Sequence, residues 1–189
     1  MSRLAHFDFL APIYDRVITA VQPERLRTLL QLPADGQLLD VGGGTGRVAQ
    51  MLSAHVGQII VLDESLGMLR QARRKGLPAM CARSEQLPFP DGAVPRILMV
   101  DAFHHLGDQD YAVAELMRVL APGGRMVIEE PNIEHSAVKL VALVERLALM
   151  RSRFRSAREI QQIFQAAGGQ VGFIHDGANF WLVVEKAAR

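Results

Sequence analysis

The run Leu38-Leu39-Asp40-Val41-Gly42-Gly43-Gly44-Thr45-Gly46-Arg47-Val48-Ala49-Gln50 decides the fold of this chain. Its first residues belong to a short apolar segment, 37–41, bounded by Gly36 and Gly42, which reads as a buried strand. After the glycines, residues 47–53 carry Val48, Met51 and Leu52 at helical spacing. The same order recurs downstream. Residues 58–62 read as a strand and 65–75 as a helix; 78–82 is a weaker strand and 96–100 a strong one. Residues 110–120 form a helical pattern through Val113, Leu116, Met117 and Leu120. Pro122-Gly123-Gly124 ends that pattern and turns into a strand over 125–129. Repeated strand–helix alternation implies a parallel sheet with helices on both faces. Beyond it, 170–175 and 179–184 are β-rich runs around Asp176-Gly177-Ala178, which predicts a hairpin. The expected fold is α/β: a doubly wound, mostly parallel sheet ending in an antiparallel C-terminal hairpin.

At 189 residues the chain is expected to form one domain, 1–189. Residues 8–31 look helical with a break near Pro23, so 1–31 is read as an N-terminal helical cap. A net charge of +1 gives no global signal for nucleic acid. The arginines at 151, 153, 155 and 158 read as a solvated face. Cys81 is the sole cysteine, which excludes an internal disulfide and points to a reducing cytoplasm. In its apolar stretch it reads as buried filler. The N-terminal apolar run is broken by His6 and Asp8, so no signal peptide is expected, and no apolar run is long enough for a membrane span.

The glycine turn lets a ligand approach the backbone and lie against its N–H groups. Asp63 follows at the end of the next strand, where a carboxylate can accept from both hydroxyls of a ribose. Asp40 adds a second acid beside the same crevice. Gly44-Thr45-Gly46-Arg47-Val48-Ala49 also satisfies the dinucleotide pattern G-x-G-x-x-A, so a nicotinamide-dependent oxidoreductase competes. Negative charge from Asp40 disfavours a pyrophosphate there and suits the ammonium and sulfonium of S-adenosylmethionine. A third reading is a non-catalytic nucleotide-binding module.

The runs LLDVGGGTGRVAQ, VLDES, SEQLPFPDG, LMVDAFHHL and RVLAPGGRMVIEEP occur in this order within residues 38–131. Together they resemble the class I S-adenosylmethionine-dependent methyltransferases, in the small-molecule branch with the ubiquinone and menaquinone C-methyltransferases. FDFLAPIYDRV, from Phe7, is similar to the segment that opens those proteins. The resemblance implies a Rossmann-like fold, S-adenosylmethionine as cofactor and methyl transfer to a small or lipid-like acceptor. It places Asp40 and Gly42, Gly44, Thr45 and Gly46 against the methionine portion, and Asp63, with Glu64 beside it, at the ribose. Ser84 and Glu85 line the adenine, Asp101 lies beside the sulfonium, and Tyr14 lies near the pocket mouth on the acceptor side. Two positions depart from the family: Arg83 and Pro95 stand where it usually has Asp. An arginine cannot accept from the adenine amino group.

Methyl transfer from a sulfonium needs alignment and exclusion of water more than acid–base chemistry. If a base is used, His104 and His105 are candidates, with a packing role as the alternative. Residues 132–168, with the apolar run SAVKLVALVERLALM, are read as a helical lid insertion; a dimer contact and a peripheral lipid contact are the other readings. No metal site is expected.

Overall fold

The computed structural model describes Ala11, residues 22–135, Val138 and residues 152–188. Its strands are β1 (Ala34–Val41), β2 (Val56–Asp63), β3 (Ala79–Cys81), β4 (Val94–Val100), β5 (Leu120–Pro131), β6 (Gly169–Asp176) and β7 (Asn179–Lys186). They form one sheet in the order β3-β2-β1-β4-β5-β7-β6. The strands from β3 to β5 run parallel; β7 pairs antiparallel with β5, and β6 with β7. This is the doubly wound sheet with a closing hairpin that the alternation predicts.

The helices are α1 (Pro23–Leu30), α2 (Arg47–Leu52), α3 (Leu66–Arg74), α4 (Gln109–Val119) and α5 (Ala157–Ala166). Leu26 and Leu30 of α1, Val48 and Leu52 of α2, and Leu69 and Ala72 of α3 cover one sheet face. Val113, Leu116 and Met117 of α4 and Ile160 and Phe164 of α5 cover the other. Apolar burial of this kind contributes roughly 1.5–3 kcal/mol per large side chain. The ends are set locally. The Ser65 hydroxyl accepts from the Met68 N–H, the Asp108 carboxylate from Tyr111, and Ser156 with Glu159 forms a capping box. At the other end of α4, Lys186 Nζ donates to the carbonyls of Met117 and Leu120.

Two readings need correction. Pro122-Gly123-Gly124 does not precede its strand. Val94 pairs with Leu120 and Arg96 with Arg125, so β5 starts before the glycines and carries them as an interruption of its pairing. Cys81 is exposed rather than buried, because it closes the short edge strand β3. Of residues 8–31, Pro23–Leu30 is helical, while 1–10 and 12–21 lie outside the described residues, as does most of the apolar run after Pro131. Within 132–168, the helix α5 packs as part of the outer layer, with the Phe164 ring 6.3 Å from that of Phe103.

Candidate active site

The sheet order reverses between β1 and β4, which opens a crevice at the carboxyl ends of the strands. The glycine turn sits on its rim. Gly42, Gly44 and Gly46 all have positive φ. A Cβ at Gly42 would lie 2.5 Å from that of Ala102, and one at Gly46 2.4 Å from Leu77, so these two glycines serve packing. Gly44 is different: a Cβ there would make only an ordinary contact, with Met68 Sδ at 3.9 Å, so crowding does not require a glycine there. Gly43 has no room because the Asp40 carboxyl occupies it, 2.6 Å from where a Cβ would be.

The turn's donors point inward. Gly42 and Gly43 donate to the Leu62 carbonyl at 2.8 and 3.2 Å. Gly44 donates to Asp63 Oδ2 at 3.0 Å, and Ser65 to Asp63 Oδ1 at 2.7 Å. These amides are therefore committed to β2 and Asp63, contrary to the expectation that they face a ligand. The acids are less well compensated. Asp40 is buried and its Oδ2 has no hydrogen-bond partner among the described residues. Burial, and then the nearby Asp63 carboxylate, push the Asp40 carboxyl up to about 7, against the opposing pull of the Ala49 N–H and Arg47. Burial also raises Asp63, while its bonds to Ser65 and Gly44 hold the shift down.

Around the predicted adenine side, Ser84 and Glu85 are buried. Arg83 is mostly exposed and pairs with Glu85 at 3.3 Å and, more loosely, with Glu64 at 3.9 Å. Glu85 Oε1 also accepts from the Asp108 N–H at 3.0 Å, whereas Oε2 is buried without a partner among the described residues. Burial favours the neutral acid, but the Asp108 amide and Arg83 outweigh it and lower the Glu85 carboxyl. Arg83, Glu85, Gln86, Asp108 and Tyr111 line a pocket of about 310 Å³. Thr45 is buried behind the turn, and its carbonyl accepts from Lys75 Nζ at 2.9 Å.

Asp101 follows β4 with φ of 53°, a left-handed conformation uncommon outside glycine, and its N–H donates to the Glu129 carbonyl at 2.9 Å. His104 and His105 lie in the next turn. His104 is buried, its Nδ1 lies 2.6 Å from Glu130 Oε2, and its ring stacks on Phe154 at 4.4 Å. His105 Nδ1 lies 3.1 Å from Ser152 Oγ. The Arg153 N–H donates to the His104 carbonyl, and Gln109 bridges the Phe103 and Arg153 carbonyls. This turn is thus a structural joint. Arg155 forks Asp110, which ties part of the arginine-rich segment to α4. Tyr14 lies outside the described residues.

Sequence reasoning missed Arg47, Glu129, Glu130 and Asn179. Two adjacent acids at the end of the apolar run 126–128 were the available signal, since buried strands do not end on paired carboxylates without a use for them. Glu130 accepts from the N–H groups of Ala102, Phe103 and His104 as well as the His104 ring.

The fold and this site resemble those of the class I S-adenosylmethionine-dependent methyltransferases. Residues 39–128 match the family model described as a methyltransferase domain. The chain is 38% identical over 105 residues to a demethylmenaquinone methyltransferase of Thermus thermophilus, covering 51% of this chain and 48% of that protein. It is 31% identical over 108 residues to a ubiquinone/menaquinone biosynthesis C-methyltransferase of Hahella chejuensis, covering 51% and 43%. The chain thus spans about half the length of these curated relatives. A methyltransferase structure from Thermotoga maritima superposes with a TM-score of 0.81 at 21% identity, covering 98% of this chain and 100% of that one, which is a likeness of fold. Residues 39–128 thus match a methyltransferase domain, and the chain resembles the class I S-adenosylmethionine-dependent ubiquinone and menaquinone C-methyltransferases.

The residues present fit that cofactor. The buried, unpartnered oxygen of Asp40 suits a ligand with a cationic end, and Gly44 is the one glycine of the turn proper, 42–46, that is not closed off by close packing. Committed turn amides beside uncompensated acids suit a pyrophosphate poorly, so the nicotinamide alternative gains no support.

Proposed function

We propose that the protein transfers a methyl group from S-adenosylmethionine to a ring carbon of a quinol-type or similar lipid-like acceptor. The observation that carries the reading is the buried, unpartnered carboxylate oxygen of Asp40, which lies against Gly43 within the glycine turn. The names of the relatives support the acceptor class. The cofactor, when bound, supplies an electrophilic methyl group. Asp40 takes the ammonium and Gly44 faces the methionine portion, while Gly42, Gly46 and the buried Thr45 hold the turn in shape behind it. Asp63 accepts from the ribose hydroxyls with its remaining lone pairs, with Glu64 at the same edge. Asp101 stands beside the sulfonium, and Tyr14 on the acceptor side. His104 and His105 hold the joint after β4 rather than moving protons. In this reading residues 1–189 act as one domain, with 1–31 as a cap and the stretch after Pro131 as a lid. The acceptor is not a nucleic acid, the setting is the cytoplasm, and peripheral membrane contact and a homodimer fit a lipid-like acceptor. Among the described residues no helix is long and apolar enough to cross a membrane.

Calorimetric titration tests the cofactor half. S-adenosylmethionine and S-adenosylhomocysteine are expected to bind and NAD is not; the reverse order overturns the reading. Mass spectrometry after incubation with a short-chain demethylmenaquinol, the reduced ring whose carbons are nucleophilic, tests the acceptor half.

The adenine side yields a separate expectation. Glu85 Oε2 is the buried acceptor that replaces the family Asp, and Arg83 steadies Glu85 from solvent. Glu85→Ala is expected to weaken S-adenosylhomocysteine binding by roughly 1.5–3 kcal/mol, the range for a hydrogen bond to a charged group. Arg83→Ala removes only an exposed ion pair and should cost under about 1 kcal/mol. Equal affinities for wild type and Glu85→Ala would remove Glu85 from the site.

A further inference from the structure

Glu129 lies near the carboxyl end of β5, between Val100 of β4 and Trp181 of β7. Strand alternation puts it on the face whose core includes Val127 and Trp181, with Leu38 two residues before Asp40 on β1. Glu130 points to the opposite face. Glu129 therefore shares the side of the sheet that carries Asp40 and α2. It is 5% exposed. Its Oε1 accepts from Asn179 Nδ2 at 2.8 Å, but Oε2 is buried with no partner among the described residues. Nε and Nη1 of Arg47, at the start of α2, are likewise buried and unpartnered. Burial pushes the Glu129 carboxyl up to about 7; Asp101 and Glu130 add to this, and Asn179 and Arg47 oppose it.

An open carboxylate oxygen in a dry site is costly unless something binds it. Asn179 fixes the other oxygen, so the open one has a defined direction. Its neighbour in the chain fold is Asp101, at the proposed methyl-transfer end of the crevice. We propose that Glu129 is the proton-handling residue of the acceptor site, its open oxygen accepting the hydroxyl proton of a phenol- or quinol-type ring ortho to the carbon that is methylated. Asn179 is its positioning residue. This rests on the methyltransferase reading above.

The step balances without a further reactant. As Glu129 takes the hydroxyl proton, the O–H electron pair becomes a ring carbonyl and the adjacent carbon bonds to the methyl group. The methyl–sulfur bond breaks and its electron pair stays on sulfur. The proton on the methylated carbon then leaves to solvent, the ring regains its aromaticity, and Glu129 returns its proton to the oxygen. The net products are the methylated ring, the thioether and one proton.

Glu129→Gln keeps the shape and the bond from Asn179 but cannot take a proton. Three quantities are measured under anaerobic conditions: S-adenosylhomocysteine affinity, binding of 1,4-naphthalenediol to the S-adenosylhomocysteine-loaded protein, and kcat against pH with a short-chain demethylmenaquinol. The expected result is cofactor-product affinity within about twofold of wild type, naphthalenediol binding weaker by about tenfold, and kcat lower by about a hundredfold with its limb near pH 7 gone. Asn179→Ala should move that limb without abolishing it. Unchanged naphthalenediol binding and kcat in Glu129→Gln overturn the proposal, as does a wild type that binds S-adenosylhomocysteine but neither binds nor methylates the ring. Weakened S-adenosylhomocysteine binding in Glu129→Gln also overturns it and moves Glu129 to the cofactor's ammonium. A wild type that fails to bind S-adenosylhomocysteine sinks the methyltransferase reading itself.

Discussion

Replacing Glu130 with alanine is expected to lower stability by about 3–5 kcal/mol, the range for breaking a buried ion-pair network. The carboxylate is buried and collects the N–H groups of Ala102 and Phe103 at 2.8 and 2.7 Å, the His104 N–H at 3.3 Å and the His104 ring at 2.6 Å. Removing it strands several donors at once, and water cannot reach them easily. For a domain of this length each kcal/mol moves the unfolding midpoint by roughly 2–4 °C, so a drop on the order of 10 °C should appear in a thermal scan. Glu130→Gln retains one acceptor oxygen and should lose about half as much. A loss below about 1 kcal/mol in Glu130→Ala would mean that the turn after β4 is held by its packing on Phe154 instead.

How legible was this in the sequence? The sheet was, because each parallel strand announces itself as an unbroken apolar run such as Ile97-Leu98-Met99-Val100, and the helices between keep a 3.6-residue period. The hairpin was, because Asp176-Gly177 supplies the positive φ that its turn needs. The start of β5 was not. Glycine and proline read as punctuation, and only the pairing with Val94 shows that the strand runs through them. The exposure of Cys81 depends on β3 being an edge, a fact of sheet order that local pattern does not contain. At the site, Asp40 and Asp63 could be named because they sit at fixed offsets from the glycines. Asn179 could not, since its bond to Glu129 spans fifty positions in the chain. Nor could the direction of the turn's amides, which is decided by the Leu62 carbonyl and the Asp63 carboxylate on the neighbouring strand.

Cofactor affinity is expected to depend on pH through Asp40. Its carboxyl is raised to about 7 in the folded protein, mainly by burial, from an ordinary value near 4. An incoming ammonium binds the ionised form, so below pH 7 each unit of acid should weaken binding by up to tenfold. Between pH 8 and 5.5 the dissociation constant of S-adenosylhomocysteine should rise by about thirtyfold, with proton release on binding near pH 7. The linkage to folding has the opposite sign. A raised acid binds its proton more tightly when folded, so its contribution is fully present below pH 4 and is lost as pH rises to about 7. For a shift of this size the loss is on the order of 4 kcal/mol in the ligand-free protein. Asp40→Asn carries no titrating proton. It should therefore be more stable than wild type at pH 8 and bind the cofactor product with a weak affinity that no longer changes with pH. That combination, a site residue whose removal stabilises the fold and weakens the ligand, is the signature of a buried charge kept for binding. Calorimetry across this pH range, in two buffers of different ionisation enthalpy, reads both the affinity and the proton count. A flat wild-type profile would place the ammonium against another carboxylate, with Asp63 the next to examine.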